Sequence, residues 1–402
     1  MLKPKIWIIG QYISPEQFGY HSKYHFIAQK IYKSFDILII SADKSSHHDF
    51  DLKNRESKIR VFEKVKYLLL KSDYNSNSKI SKILSSIQFA LKLTILTFFK
   101  RKPDIALITI PNPIIGIILL PILKISRVKV ITEVRDIWPL AQKELYAIPQ
   151  YHPYYIIFKL IEVFNHRFSD LIISPLKMYD KYLKDYKMSF KNYYFVPQAT
   201  KIIELKSNDS SNKDVIKGIY SGDINSFCAF KEFLEAVNIT SKKHNIDLTM
   251  IGGGDQLDFA KKYVKENKLK NIHFLGKTTK EELFNIMDSN KFDFAISLGP
   301  IRGKELFNNY GLSSLKILDY MNYNLPVFST VFNSSCSDLS KELGGYFCEN
   351  TDPLDISLHF DEFLSKIKDF KIRASNCRDF LLNERSIDVV SQKLEKIFIS
   401  TY

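Results

Sequence analysis

Two successive α/β domains, each a doubly wound and mostly parallel sheet with helices on both faces, are what this sequence predicts. Three observations carry the prediction. Short Ile/Val-rich runs recur mostly without polar alternation, as in strands covered on both sides. Helix-patterned segments separate them. A polar stretch rich in Ser and Asn, Lys206 to Asp214, divides the 402 residues into two repetitions of the scheme.

In the first half the runs are Ile6–Ile9, Ile37–Ile40, Ile105–Thr109, Val128–Ile131, Leu171–Ile173 and Tyr194–Val196. Helical patterns cover Tyr24–Tyr32 and Tyr154–Phe168. The second half has runs at Ile216–Tyr220, Leu248–Ile251, Ile272–Leu275, Phe294–Ser297 and Val327–Ser329, with helices expected over Phe230–His244 and Gln256–Asn267. The expected domains are 1–205 and 206–380, with a C-terminal helix in 381–402 able to return to the first domain. Such sheets bind ligands beyond the carboxyl ends of their strands, and two facing domains would form a cleft. Asp43–Lys58 and Tyr74–Lys82 read as polar loops.

Composition narrows the function. With 45% apolar and 25% charged residues the chain is globular, not disordered. Lys and Arg number 58 against 44 acids, a net charge of +14, which favours an anionic partner. No compact Arg/Lys–aromatic motif selects nucleic acid, so phosphate ligands and an anionic membrane surface remain. Cys228, Cys336, Cys348 and Cys377 lack C-x-x-C spacing and read as ordinary thiols of a reduced, cytoplasmic protein. His21 and His25 have helical spacing for a metal. They lack the intervening Glu and a third ligand, so no metal site is expected. The apolar run near the N-terminus is a first strand, too short for a secretion signal.

Ile105–Leu123 carries no charge and approaches the length of a membrane span. Pro111, Pro113 and Pro121 interrupt it, so it reads as a buried strand, a loop and an apolar helix. The preceding apolar segment, Ile87–Lys102, ends in Lys-Arg-Lys. Together they suggest a basic-flanked surface for peripheral attachment.

The glycine run Gly252-Gly253-Gly254 follows one apolar run and precedes a helix. Leu257 occupies the position of the last glycine of a dinucleotide fingerprint, so a plain strand-to-helix turn is expected. The strongest signal is Gly311–Met321, followed by Asn-Tyr-Asn-Leu-Pro-Val327. Ser313 and Ser314 can cap the apolar helix that follows, leaving its N–H groups to an anion with Lys316 nearby. Asp319 lies about a turn further on. The plainer reading of the same residues is a capped amphipathic helix with solvated Lys and Asp.

This stretch resembles the G-x-S-P-x-K-L-x-E-Y-M-x-x-G-x-P-V motif of retaining GT-B glycosyltransferases, the large family-four type that includes bacterial O-antigen and capsule sugar transferases. It matches at Gly311, Ser313, Lys316, Tyr320, Met321, Pro326 and Val327. Glu133-Val-Arg-Asp-Ile-Trp-Pro139 resembles the N-domain signature of the same family, and Tyr220-Ser-Gly222 and Phe274-Leu-Gly276 are smaller matches. The chain departs from the family at several positions. Gly311 stands where many relatives have a first acid, Asp319 replaces Glu, and Ser314 replaces Pro. Asp223 and Cys228 fall where a basic pair is common, and Arg135 stands where a histidine often precedes the Asp.

The resemblance implies a GT-B fold and transfer of a sugar, with retention, from a nucleotide-sugar, a UDP-sugar by expectation, to a saccharide or polyprenyl-linked acceptor. No cofactor or metal is obligatory. It implies donor contacts at Gly222, Gly276, Lys277, Gly311, Ser313, Ser314, Lys316 and Asp319, the last binding ribose hydroxyls. Gly19 and Lys23 fall on the acceptor side, and Arg135, Asp136 and Lys316 are the expected catalytic groups. Lys23 also reads as part of a solvated helix face, and Arg135 with Asp136 as a local salt bridge. A sugar-nucleotide 2-epimerase-like isomerase and a non-catalytic scaffold of this fold are the alternatives; the Arg-Asp-Ile-Trp-Pro signature argues against the first.

Overall fold

The structure, a computed structural model, describes residues 3–19, 22–45, 48–50, 58–72, 79–99, 102–110, 113–205, 214–330 and 338–402. The chain forms two compact units, Met1–Ala199 with Ile387–Tyr402, and Thr200–Ser386.

The first unit contains β1 (Lys5–Ile9), α1 (Lys23–Ile31), β2 (Asp36–Ala42), β3 (Lys58–Phe62), β4 (Val65–Leu70), α2 (Lys79–Phe99), β5 (Ile105–Ile110) and α3 (Ile114–Ile125). It continues with β6 (Lys129–Val134), α4 (Leu140–Tyr146), α5 (Pro153–Phe168), β7 (Leu171–Ser174), α6 (Tyr179–Asp185) and β8 (Tyr193–Phe195). The sheet order is β3-β4-β2-β1-β5-β6-β7-β8. All pairs are parallel except β3 with β4.

Successive side chains of a strand point to opposite faces. Ile6 and Ile8 of β1 therefore enter one core with α1 and the C-terminal helix, whereas Trp7 and Ile9 enter another with α2 and α3. Both faces are covered, which is why these strands read as unbroken apolar runs. The register Ile6↔Ile37 and Ile6↔Ile105 centres β1 in the sheet. The order reverses between β1 and β5, where ligand crevices of such sheets form.

The second unit contains β9 (Ile216–Ser221), α7 (Phe230–Thr240), β10 (Ile246–Ile251), α8 (Leu257–Glu266), β11 (Ile272–Gly276), α9 (Lys280–Ser289) and β12 (Phe294–Ser297). Then come α10 (Lys304–Tyr310), α11 (Leu315–Asn322), β13 (Val327–Ser329), β14 (Gly345–Phe347), α12 (Pro353–Ser365), α13 (Ile367–Ala374) and α14 (Cys377–Phe380). The order β11-β10-β9-β12-β13-β14, all parallel, has its reversal between β9 and β12. Aromatic rings dominate one face: Phe233, Phe294, Phe328, Phe360 and Phe363 pack together under α7 and α12. The last helix, α15 (Ile387–Thr401), packs on α1.

Several expectations change. The hairpin β3–β4 and the edge strand β14 were not anticipated. Ile59 and Val61 of β3 point to solvent at the sheet edge, so the strand lacks a buried apolar run. The segment Tyr74–Lys82 is not wholly loop, because α2 begins at Lys79. Most of Asp43–Lys58, the Lys206–Asp214 linker apart from Asp214, Cys336 and His21 lie outside the described residues. Ile105–Leu123 forms β5 and most of α3, with Pro121 inside the helix. Among the described residues no helix is long and apolar enough to cross a membrane.

Candidate functional site

In the second unit the loops after β9, β10 and β12 meet at the carboxyl edge of the sheet. Gly222 N–H donates to Ile251 O at 2.9 Å, Ile224 N–H to Gly253 O at 3.0 Å, and Ala229 N–H to Gly299 O at 2.9 Å. Ser226 donates to both carboxylate oxygens of Asp255, through its backbone N–H and its hydroxyl. Gly252, at φ +147°, lies so close to this loop that a Cβ would stand 1.8 Å from Gly222 O. Only glycine permits that approach. The glycine run is thus a tight strand-to-helix turn, and it also props the loop that follows β9.

α11 brings its side chains to the same place. Ile317, Leu318, Tyr320 and Met321 are buried in one core, and Tyr320 Oη accepts from Ser221 N–H at 2.7 Å at the end of β9. This contact docks the helix on the strand. Lys316, on the other side of α11, then reaches across the loop. Its Nζ lies 5.1 Å from the ring centroid of Tyr220, and a Cβ on Gly222 would be 3.3 Å from it. Burial pushes the Lys316 ammonium below the usual lysine range, with Cys228 and Asp223 pulling the other way. No carboxylate pairs with it among the described residues. Tyr220 Oη donates to Asp223 O at 2.7 Å, fixing the loop beneath it.

Ser314 occupies the position before α11, but its hydroxyl does not cap the helix. The expectation of side-chain capping is corrected: the first N–H groups of α11 have no hydroxyl partner from Ser314. Gly311 is buried, with φ +96°, after α10. Ser313 is half-buried. Gly276 turns at φ +78° with open space where a Cβ would be, and exposed Lys277 lies over Gly253.

Asp319 is not solvated. Its Oδ1 lies 2.9 Å from Lys280 Nζ in a buried ion pair without hydrogen-bond geometry. Lys280 is the first residue of α9, after the capping box of Thr279 and Glu282, and its Nζ lies over Phe284. Sequence reasoning passed over Lys280. Its signal was a lysine at a helix N-terminus, where the helix dipole disfavours a cation.

In the first unit, Lys23 is neither solvated nor open to a ligand. Its Nζ lies 3.0 Å from Glu133 Oε1, and both side chains are buried. Burial lowers the Lys23 pKa and Glu133 opposes the shift. Burial alone would raise Glu133, but Lys23 and Arg135 outweigh it and hold the carboxyl low. Tyr24 lies beside the same carboxylate, and its phenol is pushed well up by burial. Arg135 is half-buried and Asp136 exposed. Asp136 and Trp138 line a small pocket with Glu162, Asn165 and His166. Gly19 is buried and bridges to His48. His25 is buried against Tyr67, its Nδ1 3.0 Å from the hydroxyl, rather than on a ligand-facing or solvated surface. No cluster of metal-ligating side chains occurs among the described residues.

No family model and no curated protein sequence matches the chain. Solved structures do. The sucrose-phosphate synthase of Thermosynechococcus elongatus aligns with a TM-score of 0.75 over 99% of both chains at 10% identity. Anabaena HepE in complex with UDP and glucose aligns at 0.70 over 99% of this chain and 100% of its own, also at 10% identity. WaaG, a glycosyltransferase involved in lipopolysaccharide biosynthesis, aligns at 0.66 over 98% and 99%, at 12% identity. Identities this low establish architecture rather than activity. Over nearly its full length, the chain has the fold these structures share, the GT-B fold of two Rossmann-like units.

Proposed function

We propose that the protein is a retaining glycosyltransferase. It moves a sugar from a nucleotide-sugar, a UDP-sugar in the first instance, to a saccharide or polyprenyl-linked acceptor in surface polysaccharide synthesis. The observation that carries this reading is Lys316: a cation without a carboxylate partner among the described residues, held by α11 at the carboxyl edge of the sheet beside Gly222. That is a seat for a diphosphate. The uncapped start of α11 adds N–H donors. As the bond between sugar and diphosphate breaks, negative charge grows on the leaving oxygen, and a fixed cation stabilises it. The solved complex of HepE with UDP and glucose supports the choice of uridine.

In this reading Asp319 accepts from ribose hydroxyls while Lys280 holds its carboxylate in place. Gly276 and Lys277 border the base, and Ser313 and Ser314 border the phosphates. Arg135 and Asp136 serve the acceptor side, together with Gly19 from the segment between β1 and α1. Lys23 acts there only indirectly, through Glu133. Gly311 carries no carboxylate for donor hydroxyls, which favours a deoxy, amino or N-acetylamino hexose over plain glucose. The enzyme works peripherally at an anionic membrane surface, where a lipid-linked acceptor resides.

A panel of nucleoside diphosphates, read as thermal stabilisation, tests the class and the base together. UDP is expected to raise the melting temperature most. No stabilisation by any of them would refute the reading. Competition between UDP-glucose and UDP-N-acetylhexosamines, scored by transfer, tests the donor; preference for glucose would remove Gly311 from that choice.

A further inference from the structure

Three helices cover one face of the first unit's sheet. α3 packs against both α2 and α5, and all three contribute to one apolar core. A water-facing helical layer normally turns charged side chains outward. This one does not. On α2, Leu84, Leu91, Ile95 and Phe98 are each more than half exposed. Intervals of seven, eleven and fourteen residues are close to whole turns, so these four side chains form one stripe. On α5, Ile156, Ile157, Leu160 and Val163 are exposed in a second stripe. Exposed Arg167 continues it.

The charged side chains of these helices are nearly all basic, and Asp170, just past α5, is taken up by Lys124 of α3 at 2.6 Å. The three helices contain a single acidic residue, Glu162, and it is buried against Lys159. Arg167 has no ion pair among the described residues. In the sequence, Lys100, Arg101 and Lys102 follow the last residue of α2.

We propose that this layer docks on an anionic lipid bilayer, with α2 and α5 lying along the interface and their apolar stripes entering it. The proposal rests on the peripheral reading given above and names the surface that serves it. Apolar stripes bordered by cations are what an anionic lipid interface binds. A second copy is the other occupant to weigh. A two-fold dimer would set this face against itself, cation to cation, with no exposed acid on these helices to pair them. Lipid headgroups supply the missing negative charge.

The test uses the full chain with vesicles of phosphatidylcholine alone, or with about one third phosphatidylglycerol, sedimented at low salt and at about 1 M salt. A Leu91→Glu/Leu160→Glu double variant and an Arg167→Glu variant run alongside, their folding checked by circular dichroism. The protein is expected to bind the anionic vesicles at least about tenfold better than the neutral ones. Each variant should lose about tenfold of that binding. High salt should release most of the bound protein. Equal binding to both vesicle types, or undiminished binding by the double variant, overturns the proposal. So does a dimer in light scattering that the double variant splits, since the face would then belong to a second copy. UDP-dependent thermal stabilisation should be unchanged in both variants. Its absence from the unmodified protein would refute the nucleotide reading while leaving vesicle binding as a separate result.

Discussion

Lys280 Nζ stands 2.9 Å from Asp319 Oδ1, and both side chains are almost wholly buried. The pair joins the start of α9 to the middle of α11, the helix that also carries Lys316. The first unit repeats the arrangement. Lys23, the first residue of α1, is buried against Glu133 at 3.0 Å. In both cases a cation sits where the helix dipole opposes it, and a buried carboxylate from another element compensates. Desolvation of two charges makes such pairs weak sources of net stability but costly to break singly.

Lys280→Met should therefore destabilise the second unit by about 3–5 kcal/mol, because the buried Asp319 carboxyl loses its ion-pair partner. The double variant Lys280→Met/Asp319→Leu should recover most of that loss. Urea unfolding followed by fluorescence measures both. A single variant as mild as an ordinary surface change would show that the pair is not coupled.

Asp319→Asn keeps the side-chain volume and removes the charge. Loss of charge-assisted bonds of roughly 1.5–3 kcal/mol should weaken UDP binding by at least about tenfold. Isothermal titration measures the affinity. Unchanged affinity in the folded variant would remove Asp319 from the ribose site.

Lys316→Ala should lower turnover by about a hundredfold or more, with a smaller loss in UDP affinity, if its charge acts on the leaving group. Equal losses would give it a positioning role instead. Because burial lowers its pKa, the ammonium is lost as pH rises, before the ordinary lysine value of 10.5 is reached. UDP affinity should fall on that alkaline limb. Lys316→Arg stays charged, so any affinity it retains should not show the limb.

Gly252→Ala and Gly276→Ala separate crowding from backbone strain. At Gly252 the new Cβ would lie 1.8 Å from Gly222 O, whereas at Gly276 nothing lies within 4 Å and only the φ of +78° is unfavourable. Gly276→Ala should cost about 1–2 kcal/mol. Gly252→Ala should cost more and also weaken UDP binding, because the loop beside Lys316 must move. Paired melting and titration curves check the order.

His166 should make the first unit acid-sensitive. Burial pushes its pKa down to about 4, while its Nδ1 and Nε2 lie 2.7 Å from Glu162 O and Tyr179 Oη. The unfolded chain takes up the proton near pH 6.5, before the folded one does, so stability is full above that value and falls as pH drops toward 4. The shift corresponds to about 3 kcal/mol. His166→Gln should flatten this part of the stability profile, measured by urea unfolding between pH 7 and about 4.

The alternation of elements was legible in the sequence because strands covered on both faces must be apolar throughout. Phe294–Ser297 and Val327–Ser329 coincide with β12 and β13 for that reason. β3 escaped notice because an edge strand needs no buried run, as exposed Ile59 and Val61 show. The motif from Gly311 to Val327 marked the helix that carries Lys316, since its apolar spacing and flanking glycine are local properties. Partnership is not local. Lys23 reads the same in sequence whether it faces water or Glu133, and Asp319 gives no sign of Lys280, which is distant along the chain. The sequence by itself determined which segments become strands and helices and which chemical groups stand at their ends. Only the tertiary structure decided which charges are buried in pairs and which, like Lys316, lack a carboxylate partner among the described residues, because that depends on packing between elements remote in the chain.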